Sequence, residues 1–497
     1  MNAAKEAVMD CLGLGAKEFV LCSGARNLEL ISLIQSIKGI STYNFPEERS
    51  AAFFAMGRSI KECSPTVIVT TSGTAVPELF PAVIESFYQS IPLILLTADR
   101  PKRFQGIGSP QTIDQINIFG SYAQSEIKTW SANMPLHINV NLEEPSRILE
   151  INEQIQIPEL KIPSITNNSH DQIKADTLEL QRFLNRAEDL FVLVGNINEN
   201  LQDEVYKFII SNNLSVYAES TSGLREKITS ALPSDINAKF ILRIGALPSC
   251  GYWRELENDE HIEVFSVTLS GLPGLSRSST VAKKVNWAEL SYRFTKEVKQ
   301  KHNSITLLDE LIFKHPNAEL SWFRHLSECI PENSLVFLGN SLPSREWEIA
   351  ATRVSKNLRC YSNRGANGID GNISTFLGIA NNEKESWGIF GDLTAMYDLF
   401  APWIIRKQNE NNIRIVVINN GGGKIFSRID AVNESTDDIK ESIINNHCIG
   451  FESWASMWGI NYINAQTSSD LNDIPDGPVI IEVIPDIKSS DHFWREL

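Results

Sequence analysis

WGIFGDLTAMYDL (387–399) and, after a helix-length interval, IRIVVINNGGGKIF (413–426) decide how this chain folds. Each opens on a short, largely apolar run, WGIF (387–390) and IRIVVI (413–418), that gives way to small polar residues. Strands apolar on both faces belong in parallel sheets covered by helices. In open α/β sheets the ligand lies beyond the carboxyl ends of the strands. The pattern puts Gly391-Asp392 and Asn419-Asn420 at that position, on two successive strands.

Runs of the same kind recur along the chain: FVLC (19–22), TVIVTT (66–71), LILLT (93–97), FVLV (191–194), KFILRI (239–244), VFSV (264–267), SLVFLG (334–339) and PVIIEVI (478–484). Helix-length amphipathic segments separate them, which predicts an α/β fold of doubly wound parallel sheets. The spacing predicts three domains, 1–155, 175–295 and 310–497. Residues 151–176 mix prolines with polar residues and read as a linker. Residues 296–318 are charged, lack strand signals and read as a second connection.

The chain has 497 residues, with 45 Lys and Arg against 61 Asp and Glu, a formal charge of −16. So acidic a balance argues against a nucleic-acid partner, which needs a basic surface. The cysteines (Cys11, Cys22, Cys63, Cys250, Cys329, Cys360 and Cys448) include no CxxC pair. A disulfide framework or zinc ribbon is therefore not expected, and a reducing compartment, the cytoplasm, is. The opening segment MNAAKEAVMDCLGLGAKEF is charged throughout and does not read as a signal peptide. No apolar run approaches the roughly 18 residues of a membrane span.

The common nucleotide and hydrolase motifs are missing. No GxGxxG follows a strand, and no GxSxG or HExxH occurs. Gly423-Lys424 resembles the end of a P-loop, but Ile418 stands where its first glycine belongs and Ile425 follows the lysine. The histidines are scattered without ligand spacing. What remains is a carboxylate and an amide at neighbouring strand ends. Hard oxygen ligands of this kind suit Mg²⁺ holding a diphosphate, and the glycines let main chain approach phosphate closely. A lone Gly-Asp is more often a strand-end turn. An Asn-Asn beginning 27 positions after Asp392 makes the pair far more specific.

Gly391-Asp392 through Asn419-Asn420 resembles the cofactor motif of the thiamine-diphosphate-dependent decarboxylase and synthase superfamily. Leu393 departs from its usual third glycine. With GDLTAMYDL and NNGGGKIF, that departure is similar to the 2-succinyl-5-enolpyruvyl-6-hydroxy-3-cyclohexene-1-carboxylate synthase family of menaquinone biosynthesis. CSGARN (22–27), FPEERSAAFFAMG (45–57), TTSGTAVPELFPAVIES (70–86), LLTADRP (95–101), GNSLPSRE (339–346) and SNRGANGIDG (362–371) agree with it. The resemblance covers most of the first and third domains and is weakest in the middle one.

The resemblance implies a pyrimidine-binding, a middle and a diphosphate-binding domain. It implies an enzyme that transfers aldehyde or ketone residues: 2-oxoglutarate is decarboxylated, and the resulting succinyl-semialdehyde carbanion adds 1,4 to isochorismate. The cofactors would be thiamine diphosphate and Mg²⁺ or Mn²⁺. Glu48 matches the glutamate that drives the cofactor's pyrimidine ring to its imino form, with Glu47 as its neighbour. Gly391, Asp392, Leu393 and Asn419 would hold the cofactor, and Asp392, Asn419 and the Gly421 carbonyl the metal. Ile369 would be the apolar wedge that keeps the cofactor bent. The glutamate and the metal ligands come from different subunits in this superfamily, so a homodimer or tetramer is implied.

Arg26, Arg100, Arg345 and Arg364 lie in loops marked by glycine or proline. In an acidic protein they suggest a pocket for carboxylates, which guanidinium groups grip bidentately. Both implied substrates are dicarboxylates. Gln111 and Ser341 would add neutral hydrogen bonds, and Ile425 and Phe426 would wall the isochorismate ring. Core packing is the alternative reading of Ile369, Ile425 and Phe426. The acceptor side departs from the family at Ala25 (usually Ser), at Pro110 (usually Asn) and in Pro248-Ser249-Cys250-Gly251, where a lysine is missing and Arg254 follows. Two other readings remain: a thiamine-dependent carboligase or 2-keto-acid decarboxylase with another acceptor, and a catalytically silent homologue.

Overall fold

The computed structural model describes residues 3–143, 157–158, 168–228, 236–293, 299–300, 304–380, 384–408 and 412–497. β1 (Glu18–Cys22), β2 (Ser41–Phe45), β3 (Thr66–Thr70), β4 (Leu93–Asp99) and β5 (Leu136–Asn141) form a parallel sheet in the order 2-1-3-4-5. β6 (Leu190–Val194), β7 (Ser215–Ala218), β9 (Phe240–Ile244), β10 (Glu263–Val267) and β11 (Thr280–Ala282) form a second, in the order 11-10-9-6-7. β8 (Ile236–Asn237) and β12 (Lys299–Gln300) make a short antiparallel pair. β13 (Leu335–Leu338), β14 (Arg359–Tyr361), β15 (Ser386–Gly391), β16 (Ile413–Ile418), β17 (Asn461–Ala465) and β18 (Val479–Val483) form the third, ordered 14-13-15-16-18-17 and parallel throughout.

The fold is therefore α/β, with parallel sheets packed between helices. β1, β3, β6 and β16 are buried at every position, which explains their largely apolar runs. The expected boundaries at 155 and 295 lie outside the described residues. Position 175 falls within the helix Asn168–Arg186 and position 310 within the helix Ser304–Lys314. The linker read at 151–176 thus turns helical from Asn168, and the connection read at 296–318 contains a helix.

By contacts the chain divides into two compact units. One comprises Met1–Ile165, Gly365–Ala380 and Met396–Asn409, and the other Thr166–Arg364, Asn381–Ala395 and Glu410–Leu497. In the first unit the helix Glu48–Glu62 packs on the helix Asn372–Ile379. Gly57 and Gly378 make this approach close. A Cβ on Gly57 would lie 2.3 Å from the Thr375 carbonyl oxygen, and one on Gly378 2.3 Å from that of Phe54. No side chain fits there without parting the helices.

Asp398, fully buried, ties the two helices together. It accepts hydrogen bonds from the Ser374 main-chain N–H (2.7 Å) and hydroxyl (2.9 Å) and from the Ser50 hydroxyl (3.4 Å). Burial raises its carboxyl from 3.8 to about 6 despite these donors. Between those values the folded chain keeps a proton that the unfolded chain releases. Stability from this group is thus lost as pH rises from about 4 to about 6, by about 3 kcal/mol in all. Asp398→Asn should remove that slope. Urea unfolding of both proteins from pH 4.5 to 7.5 should show their stability difference changing up to about pH 6 and flat above. A difference constant over the whole range would refute the assignment.

Candidate active site

In the second unit, β15 ends at Gly391, and Asp392 opens the short helix Asp392–Tyr397. The Asp392 carboxylate is buried. Its Oδ2 accepts from the main-chain N–H groups of Gly421 (2.8 Å) and Gly422 (2.9 Å), and its Oδ1 from that of Leu393 (2.6 Å). The turn after β16 thus closes around the carboxylate. It needs glycine: Gly421 and Gly422 have φ of +78° and +138°, and a Cβ on Gly422 would lie 2.8 Å from the Ile444 carbonyl oxygen.

Asn419 is oriented by its amide nitrogen, which donates to the buried Glu482 carboxylate (2.6 Å) and to the Ile449 carbonyl (2.8 Å). Its oxygen is left facing the Gly421 N–H at 3.3 Å. The Gly421 carbonyl accepts from the His447 N–H at 3.1 Å. One turn therefore gathers a carboxylate, an amide oxygen and a main-chain carbonyl. Asn419 and Gly421 border an open cleft of about 260 Å³, also lined by His447, Gly450 and Pro485, while Asp392 lies behind its wall, held by the turn. Burial raises the Asp392 pKa, opposed by the N–H groups of Gly422 and Leu393 and by His447. His447 Nε2 lies 3.2 Å from Asp392 Oδ2, while its Nδ1 accepts from the Ile449 N–H at 3.2 Å. That second contact makes Nδ1 the acceptor nitrogen of the ring, and Nε2 lies near the carboxylate without a hydrogen bond to it. No motif spacing pointed to His447.

The loop after β13 carries Ser341, whose φ of +74° is unusual for a serine. It precedes the helix Leu342–Ala350, from which Arg345 donates back to the Ser341 carbonyl (2.6 Å). Arg364 is buried. It donates to Asn340 Oδ1 (3.2 Å), and its Nε has no partner. Burial, then the charges of Arg364 and Arg254, lower Arg345 to about 10, with Glu219 opposing. Glu219 is itself engaged by the Ser249 N–H and hydroxyl. Positive charge is in excess here, as an anion site requires, and Arg254 acts on it from the short helix Tyr252–Glu255. Half-buried Ile425 and exposed Phe426 follow the glycine turn on the 3₁₀ segment Lys424–Arg428.

In the first unit the two adjacent glutamates do different work. Glu47 caps the helix Glu48–Glu62, accepting from the N–H groups of Arg49 (3.1 Å) and Ser50 (2.8 Å). Glu48 is half-buried. Burial raises its pKa, the helix-start N–H opposes this, and Glu47 and Glu78 add to the rise. Arg26, just beyond β1, is buried and donates to the Leu142 carbonyl (3.0 Å). Arg100, just beyond β4, lies over the Phe104 ring at 5.5 Å, with its Nε buried and unpartnered. Gln111 is exposed, and its carbonyl accepts from the Ser72 hydroxyl (2.8 Å). Gln115, which sequence reasoning passed over, is fully buried and bridges the Gly73 N–H (3.0 Å), the Ala98 carbonyl (3.2 Å) and Asn139 (2.9 Å). The segment with half-buried Ile369 is held by the buried Glu85 carboxylate, which accepts from the N–H groups of Gly365 (2.6 Å) and Ala366 (2.7 Å).

Residues 2–118 match the family described as thiamine pyrophosphate enzyme, N-terminal TPP binding domain. Over its full length the chain is 37% identical to the 2-succinyl-5-enolpyruvyl-6-hydroxy-3-cyclohexene-1-carboxylate synthase of Bdellovibrio bacteriovorus, covering 98% of that protein. It is 34% identical to the synthase of the same name from Akkermansia muciniphila, over 98% of this chain and 96% of the relative. For the Staphylococcus aureus synthase the identity is 26%, over 90% and 87%. Identity of this extent, running through all three sheets and both units, means that the chain belongs to the 2-succinyl-5-enolpyruvyl-6-hydroxy-3-cyclohexene-1-carboxylate synthase family of thiamine-diphosphate-dependent enzymes.

Proposed function

We propose that this protein decarboxylates 2-oxoglutarate and adds the remaining four-carbon unit to isochorismate, as a transferase of menaquinone biosynthesis using thiamine diphosphate with Mg²⁺ or Mn²⁺. The observation that carries the reading is the turn joining the Asp392 carboxylate, the Asn419 amide oxygen and the Gly421 carbonyl at adjoining strand ends. One charged and two neutral oxygen ligands leave coordination positions for phosphate oxygens and water, which suits a hard divalent cation. Among the described residues no cluster of His, Cys, Asp and Glu offers a competing metal site.

When bound, thiamine diphosphate supplies the nucleophilic carbon and the electron sink that 2-keto-acid decarboxylation needs. The chain supplies the rest. Glu48, free of the capping duty that Glu47 performs, would hold a proton against the pyrimidine ring. Ile369 would press the cofactor into its bent form. Arg345 and Arg364 would take the carboxylates of 2-oxoglutarate, and Arg26, Arg100 and Gln111 those of the acceptor. Ser341 would add a hydrogen bond, and Ile425 and Phe426 would flank the acceptor ring. We place Glu48 and the metal ligands on different subunits of a homodimer or tetramer. The free state of all seven cysteines supports a cytoplasmic setting. No helix among the described residues is long and apolar enough to cross a membrane.

Mass spectrometry of the product from 2-oxoglutarate plus isochorismate, with cofactor and Mg²⁺, tests the reading directly. Carbon dioxide release without the coupled product would favour a carboligase or decarboxylase with another acceptor. Glu48→Gln should leave thiamine diphosphate affinity largely intact by calorimetry and slow turnover about 10²–10⁴-fold. Loss of activity in Glu47→Gln with normal turnover in Glu48→Gln would reverse the assignment. Asp392→Ala should abolish Mg²⁺-dependent cofactor binding in the same calorimeter; unchanged affinity would move the metal site elsewhere.

The arginines divide the two substrates between them. A charge-assisted hydrogen bond contributes roughly 1.5–3 kcal/mol, so each Arg→Ala should cost about ten- to a hundredfold in the relevant kcat/KM. Arg26→Ala should spare decarboxylation of 2-oxoglutarate to an artificial electron acceptor and impair the coupling reaction. Equal loss in both assays would contradict the division.

A further inference from the structure

The segment between Arg100 and Phe119 carries Gln111, and Gln115 is the one residue in it that is buried. Ile107 and Ile116 are exposed, so burial of apolar side chains does little to fix this stretch. Hydrogen bonds of Gln115 fix it instead. Its Oε1 accepts from the Gly73 N–H in the turn after β3 (3.0 Å). Its Nε2 donates to the Ala98 carbonyl in β4 (3.2 Å) and to Asn139 Oδ1 in β5 (2.9 Å). Asn139 Nδ2 donates in turn to Asp99 Oδ2 (2.9 Å), and Asp99 Oδ1 accepts from the Arg100 N–H (2.7 Å).

Both ends of this chain reach residues of the site. At one end the Gln111 main chain, with φ of +49°, rests on the Ser72-Gly73 turn: its carbonyl accepts from the Ser72 hydroxyl (2.8 Å), and a Cβ on Gly73 would lie 2.9 Å from its Cα. At the other end the Arg100 main chain is held twice, its N–H by Asp99 and its carbonyl by Asn141 Nδ2 (2.6 Å). The donors and acceptors run in one order. The Gly73 N–H can only donate and the Asp99 carboxylate only accept, so neither amide between them can turn over without setting like groups face to face. The Thr97 hydroxyl, which donates to Asn139 Oδ1 (2.8 Å), and Gln105 Nε2, which donates to Asp99 Oδ2 (3.2 Å), enforce the same order.

We infer that Gln115 is a positioning residue for the acceptor side of the site: the chain Gly73, Gln115, Asn139, Asp99, Arg100 fixes the main chain of Gln111 at one end and of Arg100 at the other. The inference rests on the acceptor role proposed above for Arg100 and Gln111. A fully satisfied buried polar network specifies one arrangement, and a displacement of about 1 Å can cost about 10²-fold in rate. Gln115→Met keeps the bulk and removes the hydrogen bonds. It should raise the isochorismate KM about ten- to a hundredfold in the coupling reaction. Decarboxylation of 2-oxoglutarate to an artificial electron acceptor should stay within twofold. Asp99→Asn puts a donor where the chain needs an acceptor and should act the same way from the other end.

A second comparison separates positioning from plain support. In a chain that already carries Arg100→Ala and Gln111→Ala, Gln115→Met should add less than twofold to the isochorismate KM, because the groups it positions are gone. The measurements are steady-state kinetics of both reactions on the full chain with thiamine diphosphate and Mg²⁺. The split between the two reactions, with the loss absent from the double-variant background, supports the inference. Equal loss in both reactions, or a loss that adds in full to that background, would show a structural prop and overturn it. Asp99→Asn without effect would break the chain short of Arg100 and overturn it as well. If the wild-type enzyme releases carbon dioxide from 2-oxoglutarate yet forms no product with isochorismate, the functional reading fails and this inference with it. Wild-type coupling with an unmoved Gln115→Met would defeat the inference alone.

Discussion

The Asp392 carboxylate, gripped by the N–H groups of Gly421 and Gly422, is the contact on which the rest of the site depends. It joins the ends of two neighbouring strands, β15 and β16, by hydrogen bonds to a charged acceptor, which are the stronger kind. The grip forces the glycine turn, and the turn orients the Gly421 carbonyl and carries the chain on to Ile425 and Phe426. It also explains the burial of a carboxylate whose proton affinity burial raises. An anionic side chain is tolerated there because oriented N–H dipoles surround it.

Interior strands were legible in the sequence and edge strands were not. FVLC, TVIVTT, WGIF and IRIVVI all became strands with neighbours on both sides. β2 (STYNF) and β17 (NYINA) lie at sheet edges, are buried only at their last residue, and carry polar residues that blunt the apolar signal. β5, β7, β11 and β14 are edges as well. The reading of strands thus succeeded where burial on both faces wrote hydrophobicity at every position, and failed where one side met solvent.

The site was legible in the same uneven way. Asp392 and Asn419 announce themselves because they follow recognisable strands at a diagnostic interval. His447 lies 55 positions beyond Asp392 and touches it only through the fold. Gln115, fully buried between Gly73, Ala98 and Asn139, carries no pattern that separates it from a solvated glutamine. The arginines around Arg345 were legible from their glycine- and proline-marked loops despite the acidic composition, because net charge averages over the whole surface whereas an anion responds to its immediate neighbours.

The packing of Gly57 on Gly378 also bears on the order in which the chain can fold. The helix Glu48–Glu62 meets its partner helix, Asn372–Ile379, only after 317 further residues (379 less 62) have been made. At about 5–20 residues per second this takes about 15–60 s on the ribosome. During that time Phe53 and Gly57 lack the neighbours that the later segment brings, although the sheet itself is complete once β5 (Leu136–Asn141) has been made. The first unit emerges first and finishes late. A growing chain of this kind holds one incomplete helix–helix contact through most of its synthesis.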